Sequence, residues 1–286
     1  VYLDQIVYFP LEIARLLTTY KQAGVSVGRL EEAVGGAAPE RLISHERIGA
    51  AEVALPRSRV RESLRELRVE GLVCRYPGAE RAVGPIDLTL RAGTVTVLAG
   101  RIGAGKSTLV QALLGLVPIE RGRILWNGVP IDPGKGELAH LAAYTPQVPH
   151  LFSESVRDNV LAGTEDDGER LARAIHAAVL ERDVPQLERG LDTLVGPRGV
   201  RLSGGQIQRT AAARMFARGA QLFVLDDLSS ALDVETEQTL WDRLYARRAA
   251  DDSPNATYLV ISHRPAALER ADRVVTLEDG KVVSDT

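Results

Sequence analysis

Gly100 to Ser107 reads GRIGAGKS and fits G-x-x-x-x-G-K-[ST], a pattern in which a glycine-rich turn presents backbone N–H groups to phosphate oxygens. Glycines at 100, 103 and 105 remove side-chain obstruction, and a helix opening at the end of the loop adds the positive end of its dipole. In this pattern Lys106 reaches the β- and γ-phosphates and the Ser107 hydroxyl faces Mg²⁺. Only four lysines occur, Lys21, Lys106, Lys135 and Lys281, so one inside a motif stands out from surface filler. The competing reading is a glycine turn that happens to precede a helix. The flanking strand and helix patterns favour magnesium nucleotide binding.

Two further runs carry chemistry. Leu222, Phe223, Val224 and Leu225 read as a buried strand ending in Asp226 and Asp227, carboxylates at the strand end where open α/β sheets bind ligands. Asp226 suits an Mg²⁺ held through water, because that ion sheds its hydration reluctantly. Upstream, Leu202 to Gln206 reads LSGGQ. Ser203, Gly204 and Gly205 open a predicted helix over 204–218 and offer an anion a hydroxyl and unobstructed N–H groups. That makes a second phosphate site, against the plainer reading of a glycine-rich helix cap.

Positioning these residues takes alternating elements. Short β-type runs at 67–76, 86–90 and 94–98 precede a helix over 106–116 that stops near Pro118. Arg123 to Trp126, the turn pair Asn127 and Gly128, and Val129 to Ile131 read as a hairpin. Helical patterns cover 153–189 and 204–218, and apolar strands return at 222–225, 257–261 and 273–277. The expected fold is α/β: a P-loop core with a mainly parallel sheet, an antiparallel β subdomain and an inserted helical subdomain at about 148–215. Trp126, Trp241 and Cys74 are expected to pack.

Composition narrows the function. The 286 residues are 45% apolar, enough for a packed core, and 35 basic against 38 acidic residues give a net charge of −3. No basic field exists to hold nucleic acid through its phosphates. A single cysteine forms no internal disulfide and has no clustered zinc ligands, as befits a cytosolic chain. No signal-peptide pattern and no bilayer-length apolar run is visible. The chain opens on Val1, and the expectation is that an upstream segment has been removed. Residues 1–34 read as a helix with Ile6, Phe9, Ile13, Leu16, Leu17 and Tyr20 at three- and four-residue spacing, interrupted by Pro10. Two readings stand: an amphipathic helix packed on the domain, or the cytosolic end of a truncated last transmembrane helix. Residues 35–66, with Gly35, Gly36, Pro39 and Pro56, read as a linker.

LSGGQ with the phosphate loop resembles the nucleotide-binding domain of ABC ATPases, and the similarity runs over about 67–286, with the elements in family order. The resemblance implies ATP and Mg²⁺ as cofactors. It implies an ATP site built from Tyr76, stacked on adenine, and Gly100, Gly103, Ala104, Gly105, Lys106, Ser107 and Thr108. Ser107, Gln147 and Asp226 would serve the metal, and Asp227, His263 and Gln147 the hydrolysis. Ser203, Gly204, Gly205 and Gln206 would meet the ATP of a second ATPase domain in a head-to-tail homo- or heterodimer, so that one chain alone is nearly inactive. Ser230, Ala231, Leu232 and Asp233 resemble the loop that crosses to the opposite site. Asp227 stands where the family usually carries glutamate, which implies slow turnover or a retained, non-hydrolysing site in a heterodimer.

The amino-terminal helix, and LVGPRG at Leu194 to Gly199, resemble the exporter branch, in which the ATPase follows a transmembrane domain and lies on the cytoplasmic face of the membrane. Pro197 replaces a common exporter glutamate, and Arg101 and Ile102 are atypical in the loop. An importer ATPase subunit is the alternative. A DNA-organising ATPase would need long coiled-coil insertions, and only 55 residues separate Gln147 from Ser203.

Overall fold

The computed structural model describes residues 2–33, 62–138, 141–165, 168–196, 202–249 and 256–286. Two compact units divide the chain, Val1–Ala54 and Leu55–Thr286. In the first, helix α1 runs over Tyr2–Ala33 with Pro10 inside it. Thr18, Thr19 and Ser26 each donate a hydroxyl to the carbonyl four residues back, which satisfies these poor helix formers within the helix itself. No helix among the described residues is long and apolar enough to cross a membrane. The linker expected at 35–66 falls outside the described residues as far as 61.

The second unit is built on two sheets. Strands β1 (Glu66–Cys74), β2 (Val83–Arg91), β4 (Ile119–Trp126) and β5 (Val129–Ile131) form an antiparallel sheet in the order β2-β1-β4-β5. The β4–β5 turn is the expected Asn127-Gly128 pair, both at positive φ as a tight hairpin requires. The larger sheet has the order β10-β9-β3-β8-β7-β6, from β3 (Val95–Ala99), β6 (Ala142–Thr145), β7 (Leu222–Asp226), β8 (Thr257–Ile261), β9 (Arg273–Glu278) and β10 (Lys281–Asp285). All its neighbours are parallel except β10, an antiparallel edge strand.

The apolar runs are continuous because both faces of the central strands are covered. Phe223 and Leu225 of β7, with Tyr258 and Val260 of β8, enter a core shared with the helices, while Leu222, Val224, Leu259 and Ile261 face the other core, beneath the antiparallel sheet. Trp126, Trp241 and Cys74 are buried, as expected.

Helix α2 (Lys106–Leu113) follows β3 and stops sooner than the expected 116, where Gly115 takes a positive φ. The helix read over 153–189 is broken. It comprises α3 (Val156–Leu161), α4 (Glu169–Ala177) and three 3₁₀ turns at Leu180–Arg182, Val184–Gln186 and Gly190–Asp192. Ala162 and Gly163, both at positive φ, stop α3, Gly168 at positive φ starts α4, and Pro185 and Gly190 sit in the later turns. Helices α5 (Gly204–Ala217), α6 (Val234–Ala249) and α7 (Pro265–Leu268) complete the unit.

Candidate functional site

The carboxyl ends of β3, β7 and β8 open into one cavity of about 550 Å³. Into it come Gly100, Arg101, Ile102, Gly103 and Gly105 to Thr108 from the turn after β3, Gln147 from the loop after β6, Asp226 and Asp227 from β7, and Ser262 and His263 after β8. Four segments distant in sequence meet because the parallel order places their strand ends side by side.

Gly100 has φ 134°, and a Cβ there would fall 2.1 Å from the carbonyl oxygen of Leu277, so no other residue fits without moving β9. Gly105 caps α2 in a left-handed conformation with no side-chain hydrogen bond, so the first N–H groups of α2 are free of any side-chain cap. Lys106 Nζ donates to the carbonyls of Gly100 and Arg101 at 2.8 and 2.9 Å, folding its cation back over the loop. Burial lowers the Lys106 pKa against the opposing pull of Asp226 and Asp227.

Asp226 is 3% exposed. Burial raises its pKa, while hydrogen bonds from Ser107 Oγ at 3.2 Å and Tyr144 OH at 3.4 Å oppose the rise. Tyr144 gives no signal in the sequence because the four-residue strand β6 that carries it is too short to show a period; burial pushes its phenol up to about 12. Asp227 has φ 48° and its N–H donates to the Ile261 carbonyl at 3.0 Å. Gln147 Nε2 donates to Asp227 Oδ2 at 3.4 Å, whereas Oδ1 is buried with no hydrogen-bond partner among the described residues, 3.9 Å from His263 Nδ1. His263 itself is largely exposed.

Among the described residues no cluster of three or more His, Cys, Asp or Glu could hold a metal by itself. The Ser107 hydroxyl beside the Asp226 carboxylate is an oxygen pair that fits Mg²⁺, an ion that keeps waters and takes further ligands from substrate phosphates. The buried, unpartnered Asp227 oxygen fits a group that arrives with a proton to give.

Ser203, Gly204, Gly205 and Gln206 lie outside this cavity's lining. They begin α5 with a capping box: Ser203 Oγ accepts the Gln206 N–H at 3.3 Å, and Gln206 Oε1 accepts the Ser203 N–H at 3.0 Å. Arg209 holds the turn against Asp183 through two hydrogen bonds of 2.7 and 2.8 Å, both side chains largely buried. Asp183 gave no sequence signal, since its turn lies inside the stretch read as helix. Ser230, Ala231, Leu232 and Asp233 form the loop from β7 to α6 and stand beside α5 rather than in the cavity. Tyr76 lies two residues beyond β1, exposed and outside the lining. Ala104 is buried, its carbonyl accepting the Gly280 N–H at 3.1 Å. Pro197 falls outside the described residues.

The family described as ABC transporter matches residues 83–230. The ATP-dependent lipid A-core flippase of Xanthomonas campestris pv. campestris is 37% identical over 226 residues, covering 76% of this chain and 38% of that protein. The flippase of Haemophilus ducreyi is 35% identical over 218 residues, 75% of this chain and 37% of the relative. Among solved structures, a bacterial Atm1-family ABC exporter with ATP bound superposes with a TM-score of 0.69 at 26% identity, covering 79% of this chain and 40% of that one. The chain thus spans well under half the length of these relatives. The matched residues include the phosphate loop, the LSGGQ run and the Asp226–Asp227 strand end. The chain belongs to the ABC transporter family and carries its nucleotide-binding ATPase domain.

Proposed function

We propose that this chain is the ATPase cassette of an ABC exporter, working at the cytoplasmic face of a membrane on which a transmembrane domain of the same transporter sits. One observation carries the reading. A single cavity collects the phosphate loop, Gln147, Asp226, Asp227 and His263, while the second glycine-rich helix start, at Ser203, lies outside it. Each cavity is then completed by the Ser203 to Gln206 face of a second ABC ATPase domain, identical or related, in a head-to-tail dimer. Residues 67–286 are the cassette, 35–66 the linker, and 1–34 the cytosolic end of the last transmembrane helix. The flippase and exporter relatives are more than twice the matched length, which leaves room for a membrane domain in a longer chain.

Within the cavity, Lys106 and the N–H groups of Gly103, Gly105, Ser107 and Thr108 bind the phosphates, while Tyr76, outside the lining, meets the base. Ser107, Asp226 and Gln147 would hold Mg²⁺, which supplies charge neutralisation on the phosphate oxygens. Asp227 Oδ1 orients a water and accepts its proton, with Gln147 fixing the other carboxylate oxygen. His263 donates to the terminal phosphate, and Ser230 to Asp233 reach the opposite site.

The test is purification of the full-length transporter in detergent, with ATPase rate and chain composition measured on the same sample. Two cassettes per active complex are expected. Full activity in a complex holding one cassette overturns the reading.

A further inference from the structure

The loop carrying His263 is tied to the start of α5 through the Ser230 loop by Arg264, Glu237 and Gln208, side chains that the roles above leave unused. Arg264 Nη1 donates to Glu237 Oε2 at 2.6 Å and Nη2 to the Ser230 carbonyl at 3.3 Å. Glu237, on the first turn of α6, is 5% exposed, and its Oε1 is buried without a hydrogen-bond partner among the described residues, so Arg264 supplies the charge that this carboxylate needs. Ser230 Oγ in turn accepts from Gln208 Nε2 at 2.8 Å, and Gln208 Oε1 accepts the Ala231 N–H at 3.1 Å. Both ends of one buried amide therefore clasp the Ser230 to Asp233 loop from α5. The loop also lies close against the LSGGQ turn, where a Cβ on Gly205 would come within 3.2 Å of the Ala231 carbonyl oxygen.

Such a chain resists stretching. The guanidinium is a rigid fork with one prong on α6 and one on the loop, a geometry that lysine cannot reproduce. Moving the 262–264 loop without α6 would strand the buried Glu237 carboxylate, and moving it without the Ser230 loop would break the bond to the Ser230 carbonyl. Moving the Ser230 loop without α5 would break both hydrogen bonds of Gln208. The low-cost motion carries all three together.

We propose that Arg264 is a positioning residue that makes the Ser230 to Asp233 loop and the start of α5 follow the His263 loop. The occupancy of one chain's cavity is thereby passed to the Ser203 face that the same chain offers its partner. This rests on the two-chain reading above. Arg264, Glu237 and Gln208 stand outside the cavity's lining, so the relay governs cooperation between sites rather than affinity at either one.

The experiment compares the full-length transporter with Arg264→Gln, Arg264→Lys, Gln208→Ala and the Arg264→Gln/Gln208→Ala double variant, measuring ATP affinity, kcat and the Hill coefficient for ATP. In each single variant, ATP affinity is expected to stay within about twofold while kcat falls about tenfold and the ATP dependence loses its sigmoidal form. The double variant should be no slower than the worse single one, because both break one chain. Losses that multiply, a Hill coefficient that stays at the parent value, or full recovery with lysine would overturn the relay. Where Arg264→Gln does not fold, Glu237→Gln takes its place; it keeps an acceptor without the charge and should show a weaker form of the same pattern, and parent-like cooperativity there would overturn it equally. A parent protein that is fully active as a single cassette would mark failure of the two-chain reading itself, which the unaltered transporter reveals before any variant is made.

Discussion

Two glycine-rich turns start helices in this molecule, and they are finished differently. The start of α2 has Gly105 as its cap, no side-chain hydrogen bond, and Lys106 folded over the loop carbonyls. The start of α5 closes on itself through the Ser203–Gln206 capping box and is braced by Asp183 and Arg209. The first keeps its N–H groups for an anion and is surrounded by the groups that would work on one. The second is stable as it stands, its Asp183–Arg209 pair being spent on bracing the turn, so it suits a ligand brought to it already bound. Glycine spacing alone does not separate these two roles; the caps do.

The largest effect should come from removing the cation at the first turn. Lys106→Ala deletes the donor that would meet two phosphates, and two charge-assisted hydrogen bonds of about 1.5 kcal/mol each correspond to about a hundredfold in affinity. Calorimetry with ATP checks it, and unchanged affinity would remove the distinction between the turns. The second turn should behave oppositely. Ser203→Arg should leave ATP binding intact and stop hydrolysis, and an equal mixture of Ser203→Arg and Lys106→Ala chains should recover at most about a quarter of the parent rate, because about half of the dimers are mixed and each keeps one of its two composite sites. No restoration in a mixture that still dimerises would count against shared sites.

A smaller effect is expected at Asp227, where aspartate is one methylene, about 1.5 Å, shorter than glutamate. A misplacement near 1 Å can cost on the order of a hundredfold, and part of that should be recoverable. Asp227→Glu should raise kcat about tenfold, less the strain of a longer side chain at φ 48°, whereas Asp227→Asn should bind ATP and hold it in trapped dimers. Indifference to both changes in ATPase and nucleotide-trapping assays would show that the unpartnered Oδ1 is not the proton acceptor.

How much of this was legible in the sequence follows from the same comparison. The cavity residues sit at strand ends, and buried parallel strands write themselves as unbroken apolar runs such as LFVLD and TYLVI, so Asp226, Asp227 and His263 could be placed at one edge before any coordinates. The helical subdomain did not read as well. Its stretch of 153–189 keeps an apolar period across α3 and α4 that outweighs the glycines at 163 and 168, and the break at Val179 involves a residue with no turn signature of its own. Val179, a β-branched residue at φ 57°, is held there by packing in the core, which no local rule anticipates. Asp183 and Gln208 escaped for a related reason. Their partners come from across the fold, and a buried polar pair leaves no periodic trace.

The finest test concerns Cys74, at the end of β1 beneath the first turn. Its Sγ lies 3.9 Å from the Thr108 carbonyl of α2, its surface is fully buried, and burial pushes the thiol up to about 11 from an ordinary 9.0. A raised thiol pKa means the folded state holds its proton longer, so between pH 9 and 11 folding stability should fall as pH rises, because the unfolded chain releases that proton first. At pH 8 the same shift leaves about a hundredfold less thiolate than an unperturbed cysteine would have. Native labelling by a maleimide should therefore be far slower than in denaturant, and should report opening of the β1–α2 contact. ATP with Mg²⁺ at about twice its dissociation constant should slow that opening about threefold further. Lys106→Ala should abolish the threefold change and leave the basal protection, since packing and not the cation covers the sulfur. Ser203→Arg, at the other turn, should leave both untouched in the isolated complex. Equal nucleotide protection in the two variants would mean that Cys74 senses global stability, and the separation between the two turns would have to be drawn elsewhere.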